Sequence, residues 1–351
     1  MSAGRAAGAR TPAVLDGPRV VLAGNVIADL VIEIPALPER GGDVIGTRTE
    51  LTAGGGFNTL VAARRLGTGS VFAGLHGTGP YGDLVREALV SEDIGVVLPV
   101  RADGDTGFTV ALVEAGGERT FVTSFGVDAE MTEADVAAVA EQLRPGDLVQ
   151  LSGYGLVMPV NGPLLARFTA LMPPEIVVCL DPAPLVADIP EAVLAPVLAR
   201  TDWLSANARE ARLMSGLADP GAAASALRER LAPGGGVLVR VDKDGCWLAA
   251  PGAGPEAELE PVRVPVPVRV PGFPVRAVDS NGAGDAHVGA FLALLAQGFD
   301  PLTAARGANA AAAYAVTRRG PATAPDRAEL RAFLGEDPLA VRLFGTSSAQ
   351  R

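Results

Sequence analysis

The chain has 351 residues, 48% of them hydrophobic, which is enough to bury a large core as one α/β domain or as two smaller domains. Its 29 basic and 40 acidic residues give a net charge of −11, which argues against a nucleic-acid partner that requires a basic face. No apolar run approaches the length of a membrane span, and the two cysteines, Cys179 and Cys246, form no CxxC pair typical of a zinc site. We therefore expect a cytoplasmic globular protein with neither a nucleic-acid nor a membrane partner.

Short apolar runs alternate with longer helical patterns along most of the chain. This alternation predicts a mostly parallel sheet with helices on both faces. The predicted strands are Arg19–Gly24, Ser70–Gly74, Asp147–Leu151, Ile176–Leu180 and Gly236–Val241. The predicted helices are Asn58–Leu66, Gly82–Leu89, Thr132–Leu143, Pro190–Ala199 and Gly284–Gln297.

Other stretches depart from this alternation. Leu30–Leu51 and Phe108–Ser124 alternate with period two and contain no helical pattern, which predicts antiparallel strands that form a small lid. The segment Pro251–Pro274 is rich in Val and Pro, so we expect an edge strand or an extended connection there. Residues 1–17 lack the apolar core of a signal peptide and are predicted to be a disordered leader. Residues 341–351 are predicted to be a tail. The predicted folded domain is therefore 18–340.

The most informative motif is Asp279-Ser280-Asn281-Gly282-Ala283-Gly284-Asp285, directly before the apolar pattern of a long helix. Glycines at the start of a helix let backbone N–H groups converge on an anion, and the helix dipole adds partial positive charge there. A carboxylate at Asp285 would repel that anion unless it is needed for proton transfer. The motif therefore indicates a phosphate site with an adjacent general base.

This motif resembles the C-terminal signature of the PfkB, or ribokinase-like, carbohydrate kinase family. Motifs in the order expected for that family cover about Val20 to Leu330. The other family motifs are Gly54-Gly55-Gly56-Phe57-Asn58, Asn207-Ala208-Arg209-Glu210, and Ala308–Ala312 with Arg318-Arg319-Gly320. Bacterial sugar kinases of the YegV type are similar in three further places, Gly117–Phe121, Ser152–Tyr154 and Val241–Lys243.

The resemblance implies a ribokinase-like fold with a β lid, and transfer of the γ-phosphoryl group of ATP to a sugar hydroxyl. By position, Asp285 is then the general base, and the N–H groups of Gly282, Ala283 and Gly284 form the anion hole for the phosphoryl group. The resemblance also implies Mg²⁺ and K⁺ as cofactors. The residues implied for the nucleotide and the metals are Asn207 and Glu210 for Mg²⁺ and phosphate, Asp279 for K⁺, Asn309 for adenine and Lys243 for the ATP phosphates.

By position in the family pattern, the residues that contact the acceptor sugar are Asp29, Gly54, Gly55 and Asn58. An acid and an amide can bind the vicinal hydroxyls of a sugar, and adjacent glycines allow it to approach the backbone closely. Lys243 is the only lysine of the chain. Besides a contact with the ATP phosphates, its position in a predicted turn is equally compatible with a solvated side chain that contacts no ligand.

Departures from the family pattern leave the acceptor open. Ser280 and Asn281 stand where the family commonly has Thr, and Phe57 replaces a small residue. A nucleoside is therefore the alternative acceptor, and a phosphorylated sugar would need a cation near the lid, such as Arg40 or Arg48. A non-catalytic sugar or nucleotide sensor is a weaker alternative, because a binder gains nothing from an acid beside phosphate. The exposed edges predicted for the lid strands favour a homodimer.

Overall fold

The computed structural model describes residues 17–251 and 266–345. Residues 1–16 of the predicted leader, 346–351 of the predicted tail and most of the predicted connection before β13 lie outside these ranges. Within them, no helix combines the length and the hydropathy that crossing a bilayer requires.

Strands and helices of the main domain alternate as predicted, with boundaries that shift by one or two residues, whereas the first lid stretch, predicted as Leu30–Leu51, extends four residues further at each end, from Val26 to Gly55. The strands are β1 Arg19–Ala23, β2 Val26–Ile34, β3 Arg48–Gly55, β4 Gly69–Phe72, β5 Gly95–Val96, β6 Phe108–Glu114, β7 Arg119–Ser124, β8 Leu148–Ser152, β9 Val177–Asp181, β10 Trp203–Asn207, β11 Gly236–Arg240, β12 Gly245–Ala249 and β13 Val268–Pro271. The helices are α1 Phe57–Arg65, α2 Pro80–Ser91, α3 Glu133–Gln142, α4 Gly153–Leu156, α5 Asn161–Leu171, α6 Glu191–Arg200, α7 Ala208–Ser215, α8 Pro220–Arg228, α9 Ala283–Ala296, α10 Pro301–Ala315, α11 Arg327–Leu334 and α12 Pro338–Phe344.

The main sheet has nine strands in the order β13-β12-β11-β10-β9-β8-β1-β4-β5. The strands from β5 to β11 run parallel, and β12 and β13 continue the sheet antiparallel at one edge. Helices α1, α9 and α10 pack on one face around Phe72 and Phe291. Helices α5 and α6 pack on the other face around Leu151 and Leu180. The prediction of a mostly parallel sheet covered on both faces is confirmed.

The second sheet is the predicted lid, with strand order β3-β2-β6-β7. The pairs β2–β3 and β6–β7 are antiparallel, whereas β2 and β6 run parallel, from Ala28 beside Phe108 to Ile34 beside Glu114. Each predicted stretch therefore forms an antiparallel pair of strands, as expected, whereas the parallel contact that joins the two pairs was not predicted. Between β3 and β6 the chain passes through α1, β4, α2 and β5 of the main domain, and it returns to the lid in the same direction as β2.

Two predictions near the C-terminus have different outcomes. Val268–Pro271 forms an edge strand of the main sheet, as the Val- and Pro-rich composition predicted. The predicted tail is wrong at its start, because α12 extends to Phe344 and its Leu343 is buried in the core. The segment forms a helix because its apolar residues recur at helical spacing and the Asp337 side chain caps its N-terminus. These two features stabilise α12 although it lies near the end of the sequence.

The starts of β1 and β8, which are neighbours in the main sheet, are joined by a buried ion pair. The Asp147 side chain is fully buried and accepts hydrogen bonds from Arg19 Nε at 3.0 Å and from the Arg144 backbone N–H at 2.8 Å. A carboxylate without these partners would be left uncompensated in the interior.

We predict that Asp147→Ala lowers the free energy of unfolding by about 3–5 kcal/mol, the usual cost of removing one partner of a buried pair. The matched control is Arg167→Ala, which removes the exposed pair with Glu133 and should cost less than about 1 kcal/mol. Urea titration of both variants measures this difference. Equal losses would mean that the buried pair does not hold the two strands together.

Candidate active site

A cleft of about 270 Å³ lies between the lid and the carboxyl ends of the parallel strands. Beside β1 the chain order reverses, because β4 lies on one side and β8 on the other. Ligands of open α/β sheets bind at such a switch point. Side chains at strand ends line the cleft from below and lid side chains line it from above. The former include Asn25, Ser152, Asp181 and Arg240, and the latter Ile27, Asp29, Thr109 and Phe121.

The start of α9 has the geometry predicted for an anion hole. Gly282 is the N-cap with φ of 72°, and a Cβ there would lie 2.2 Å from the carbonyl oxygen of Pro321, so only glycine fits. No side chain caps the helix. The N–H of Ala283 donates to Ser280 O at 3.3 Å, whereas those of Gly282 and Gly284 have no partner among the described residues. Two N–H groups are therefore available to an anion.

Asp285 follows in the first turn of α9 and lines the cleft. Its carboxylate accepts a hydrogen bond from Asn58 Nδ2 at 3.2 Å and a longer one from Thr59 Oγ1 at 3.5 Å. Desolvation raises its pKa to about 7, and repulsion from Asp181 adds to this, while the hydrogen bond from Asn58 opposes it. A carboxylate with a pKa near neutrality suits a general base.

Of the predicted acceptor residues, Asp29, Gly54 and Gly55 lie in the lid strands β2 and β3, and Asn58 lines the same cleft from the start of α1. The carboxylate of Asp29 lies against Gly54, where a Cβ would come within 1.9 Å of Asp29 Oδ2. Gly54 thus makes room for Asp29, while Gly55 lines the cleft with φ of 61°. Burial raises the pKa of Asp29 to about 6. Asn58 Oδ1 is buried and accepts no hydrogen bond from the described residues, so it is available to a hydroxyl donor.

Asn207 and Glu210 form the capping box of α7. The Asn207 side chain accepts from the Glu210 N–H at 2.8 Å, and the two Glu210 carboxylate oxygens accept from Asn207 N and Nδ2 at 2.8 and 2.7 Å. Burial raises the pKa of Glu210, and repulsion from Asp181 adds to this. Among the described residues, no group of three or more His, Cys, Asp and Glu side chains could hold a metal. The pair therefore fits Mg²⁺ only through bridging water, which suits an ion that keeps much of its hydration shell.

Asp279 contacts the lid. Its Oδ1 accepts from Arg119 Nη2 and from Asn281 N at 2.9 Å, and its Oδ2 accepts from Gly320 N at 3.1 Å. Arg119, in β7, also donates to Ser280 Oγ at 3.2 Å. These bonds and the Arg119 charge lower the pKa of Asp279 against the effect of burial, which is the largest single influence. A K⁺ ion at Asp279 would have to share the carboxylate with a guanidinium.

Two predicted nucleotide contacts lie away from the cleft lining. Asn309 is buried in α10, where Nδ2 donates to the carbonyl oxygens of Val270 and Pro271 at 3.0 and 3.1 Å. Its Oδ1 pairs with His287 Nε2 at 3.1 Å, so this amide positions β13 and α9 and has no N–H left for adenine. Lys243 is exposed in the turn after β11, at the same edge of the sheet as the cleft.

Sequence reasoning missed Asp181 and Arg240, although both lie at the ends of predicted strands. Arg240 Nη1 donates to Asp181 Oδ2 at 3.0 Å and to Ser205 Oγ at 3.1 Å. Charged side chains at the carboxyl ends of buried parallel strands are the signal that could have identified them. Neither belongs to one of the motifs named above: Asp181 directly follows an apolar run, and Arg240 is the residue before Val241–Lys243.

The comparisons with known proteins agree with this geometry. The family model described as pfkB family carbohydrate kinase matches residues 18–328. The chain is 32% identical over 316 residues to the "Uncharacterized sugar kinase YegV" of Escherichia coli K12, covering 89% of this chain and 92% of that one. The structure superposes on Thermotoga maritima ribokinase with a TM-score of 0.73 at 24% identity, covering 91% of this chain and 99% of that one. It superposes on Arabidopsis thaliana ribokinase complexed with ribose and ATP with a TM-score of 0.69 at 22% identity, covering 92% and 99%. The chain therefore belongs to the pfkB family of carbohydrate kinases, which are phosphotransferases with an alcohol group as acceptor.

Proposed function

We propose that this carbohydrate kinase transfers the γ-phosphoryl group of ATP to a hydroxyl of an uncharged sugar. One observation carries the proposal. Asp285 lies between the unpartnered N–H groups at the start of α9 and the polar groups of Asp29 and Asn58, so a base faces both a phosphate site and a hydroxyl site. The Arabidopsis relative of the same fold binds ribose and ATP, which supports the same pair of ligands here.

Each part of the cleft then has a chemical role. Asp285 accepts the proton of the acceptor hydroxyl, and that oxygen attacks the γ-phosphorus while ADP leaves. The N–H groups of Gly282 and Gly284, and that of Ala283 once it leaves its 3.3 Å bond to Ser280 O, stabilise the charge on the phosphoryl oxygens, which is the main catalytic effect in this type of transfer. Mg²⁺ would neutralise charge on the ATP phosphates, and Glu210 with Asn207 would orient its water ligands.

The charges of the cleft favour an acceptor without phosphate or carboxylate. Arg240 is the only Lys or Arg among the described residues that line it, and it lies beside Gly284 rather than beside Asp29. Arg48 pairs with Glu33 and Glu50 on the lid. An anionic acceptor would meet the Asp29 carboxylate without a compensating cation.

A nucleoside remains the second candidate acceptor because aromatic side chains line the lid side of the cleft. Phe121 and Phe125 are 56% and 44% exposed, and such rings stack on flat bases as well as on the apolar faces of sugars. Phe57, by contrast, is part of the core.

An ADP-release screen of pentoses, hexoses, keto-deoxy acids, sugar phosphates and nucleosides distinguishes these classes of acceptor. Turnover confined to phosphorylated or carboxylated acceptors would contradict the uncharged-sugar proposal.

The homodimer proposed from the lid edges has a direct test. Leu51 and Val122, on β3 and β7 at the two edges of the lid sheet, are exposed. Light scattering should give a mass of twice 35.7 kDa. A mass of one chain at micromolar concentration would contradict it.

We predict that Asp285→Asn lowers kcat by about 10²–10⁴-fold, the usual contribution of a positioned base, with little change in either KM. Asn is nearly isosteric, so the start of α9 should keep its geometry. Calorimetry on the same preparation checks that ATP and sugar still bind. A variant that retains more than about a tenth of the wild-type kcat would exclude Asp285 as the base.

The pH profile follows from the pKa of Asp285. Because the base must be ionised, kcat/KM should fall below about pH 7 and level off above it. Asp29, with a pKa of about 6, adds a second decline at lower pH that should be absent from Asp29→Asn. A profile of kcat/KM that stays flat from pH 5 to 8 would be inconsistent with either assignment.

We predict that Asp29→Ala raises KM for the sugar by roughly tenfold to a hundredfold, because one charge-assisted hydrogen bond is lost, and leaves KM for ATP nearly unchanged. Asn58→Ala should act in the same direction with a smaller effect. Steady-state kinetics with each substrate varied in turn measures both. A larger effect on ATP than on sugar would mean that the two ends of the cleft are assigned the wrong way round.

The K⁺ site proposed at Asp279 predicts a higher rate in K⁺ than in a large organic cation at constant ionic strength. Because Arg119 already pairs with this carboxylate, we expect a small rise in the wild type and a larger one in Arg119→Ala. Initial rates in the two salts decide the point. Equal rates in both salts for both proteins would remove K⁺ from the account.

A further inference from the structure

Arg240 is a cation at the proposed phosphate end of a cleft whose other charged lining side chains, among the described residues, are acidic. It is the last residue of β11, its side chain is 13% exposed, and it lines the cleft. Its guanidinium lies beside the first turn of α9, since a Cβ built on Gly284 would be 3.6 Å from Arg240 Cζ and 3.7 Å from Nη2. The cation is therefore adjacent to the N–H groups of the anion hole.

The hydrogen bonds of Arg240 leave part of the guanidinium unused. Nη1 donates to Asp181 and Ser205, while Nη2 lies 3.7 Å from Glu210 Oε2, which is too long for a hydrogen bond. Both Glu210 oxygens accept from Asn207 instead. Nε and Nη2 thus have no hydrogen-bond acceptor among the described residues, although a guanidinium carries five N–H donors.

A γ-phosphate in this cleft would be repelled by the carboxylates of Asp181, Glu210 and Asp285 unless a positive charge offsets them. The dipoles of the backbone N–H groups at the start of α9 supply partial positive charge. A guanidinium can add a full positive charge and charge-assisted hydrogen bonds in a fixed planar geometry. Asp181 and Ser205 hold the guanidinium in place through Nη1, so it requires no reorganisation when phosphate arrives.

We infer that Arg240 is a further catalytic residue, which donates Nε or Nη2 hydrogen bonds to the oxygens of the transferring phosphoryl group. The inference rests on the proposed kinase function. Asp181 and Ser205 then act as positioning residues for this cation.

The test is Arg240→Lys, which keeps a positive charge beside Asp181 but lacks the planar set of donors. We expect kcat to fall on the order of 10²–10³-fold, as for the loss of one preorganised donor, with KM for the sugar unchanged. Aluminium fluoride, a mimic of the phosphoryl group in transfer, should tighten MgADP binding in the wild type and do so far less in the variant. Arg269→Lys, at an exposed arginine of β13 paired with Asp244, is the matched control and should behave as wild type.

The binding measurements separate two failures. A wild type that binds no MgATP would count against the proposed kinase function itself. A wild type that binds MgATP, together with an Arg240→Lys variant that keeps its kcat and the full aluminium fluoride effect, would overturn the role of Arg240 alone. If Arg240→Lys is unfolded at the assay temperature, the double variant Arg240→Met with Asp181→Asn is measured instead, because it removes both charges of the ion pair. A double variant that keeps its kcat and the full aluminium fluoride effect would likewise overturn the role of Arg240.

Discussion

The left-handed turn at Gly282 is the constraint on which the rest of the site depends. The carbonyl oxygen of Pro321 leaves no room for a side chain there, and the positive φ at Gly282 starts α9 without a side-chain cap. As a result, backbone N–H groups remain unpartnered, and Asp285 enters the cleft one residue beyond Gly284. The proposed phosphate site and the proposed base are thereby both positioned by one turn of backbone.

The balance of charge around the cleft explains why two arginines lie beside carboxylates there. Removal from water raises the pKa values of Asp29, Glu210 and Asp285, and repulsion from Asp181 adds to the effect at Glu210 and Asp285. Arg240 offsets this negative charge from below the cleft, and Arg119 connects the lid to the loop that carries Asp279. The lid contact couples the sheet that holds Asp29 to the loop that holds the proposed anion hole, so a displaced lid would disturb both.

The sequence predicted the local features well because they depend on neighbouring residues. The glycines before α9, the capping pair Asn207 and Glu210, and the period-two strands of the lid are visible within short windows. Contacts over long sequence separations were not predictable in this way. The parallel pairing of β2 with β6 depends on where the chain returns after α2. Likewise, the bond from Arg119 to Asp279 joins residues 160 positions apart, and the bond from Asn309 to Val270 of β13 joins residues 39 positions apart.

The central claim is that Asp285 acts as a base, so that the phosphoryl group passes directly from ATP to the acceptor oxygen. The most direct measurement uses ATP made chiral at the γ-phosphorus with sulfur and oxygen isotopes, followed by analysis of the configuration of the sugar phosphate. A single in-line transfer predicts inversion at phosphorus. Retention would mean two successive transfers through a phosphorylated side chain, and it would contradict the assignment of Asp285 as a base.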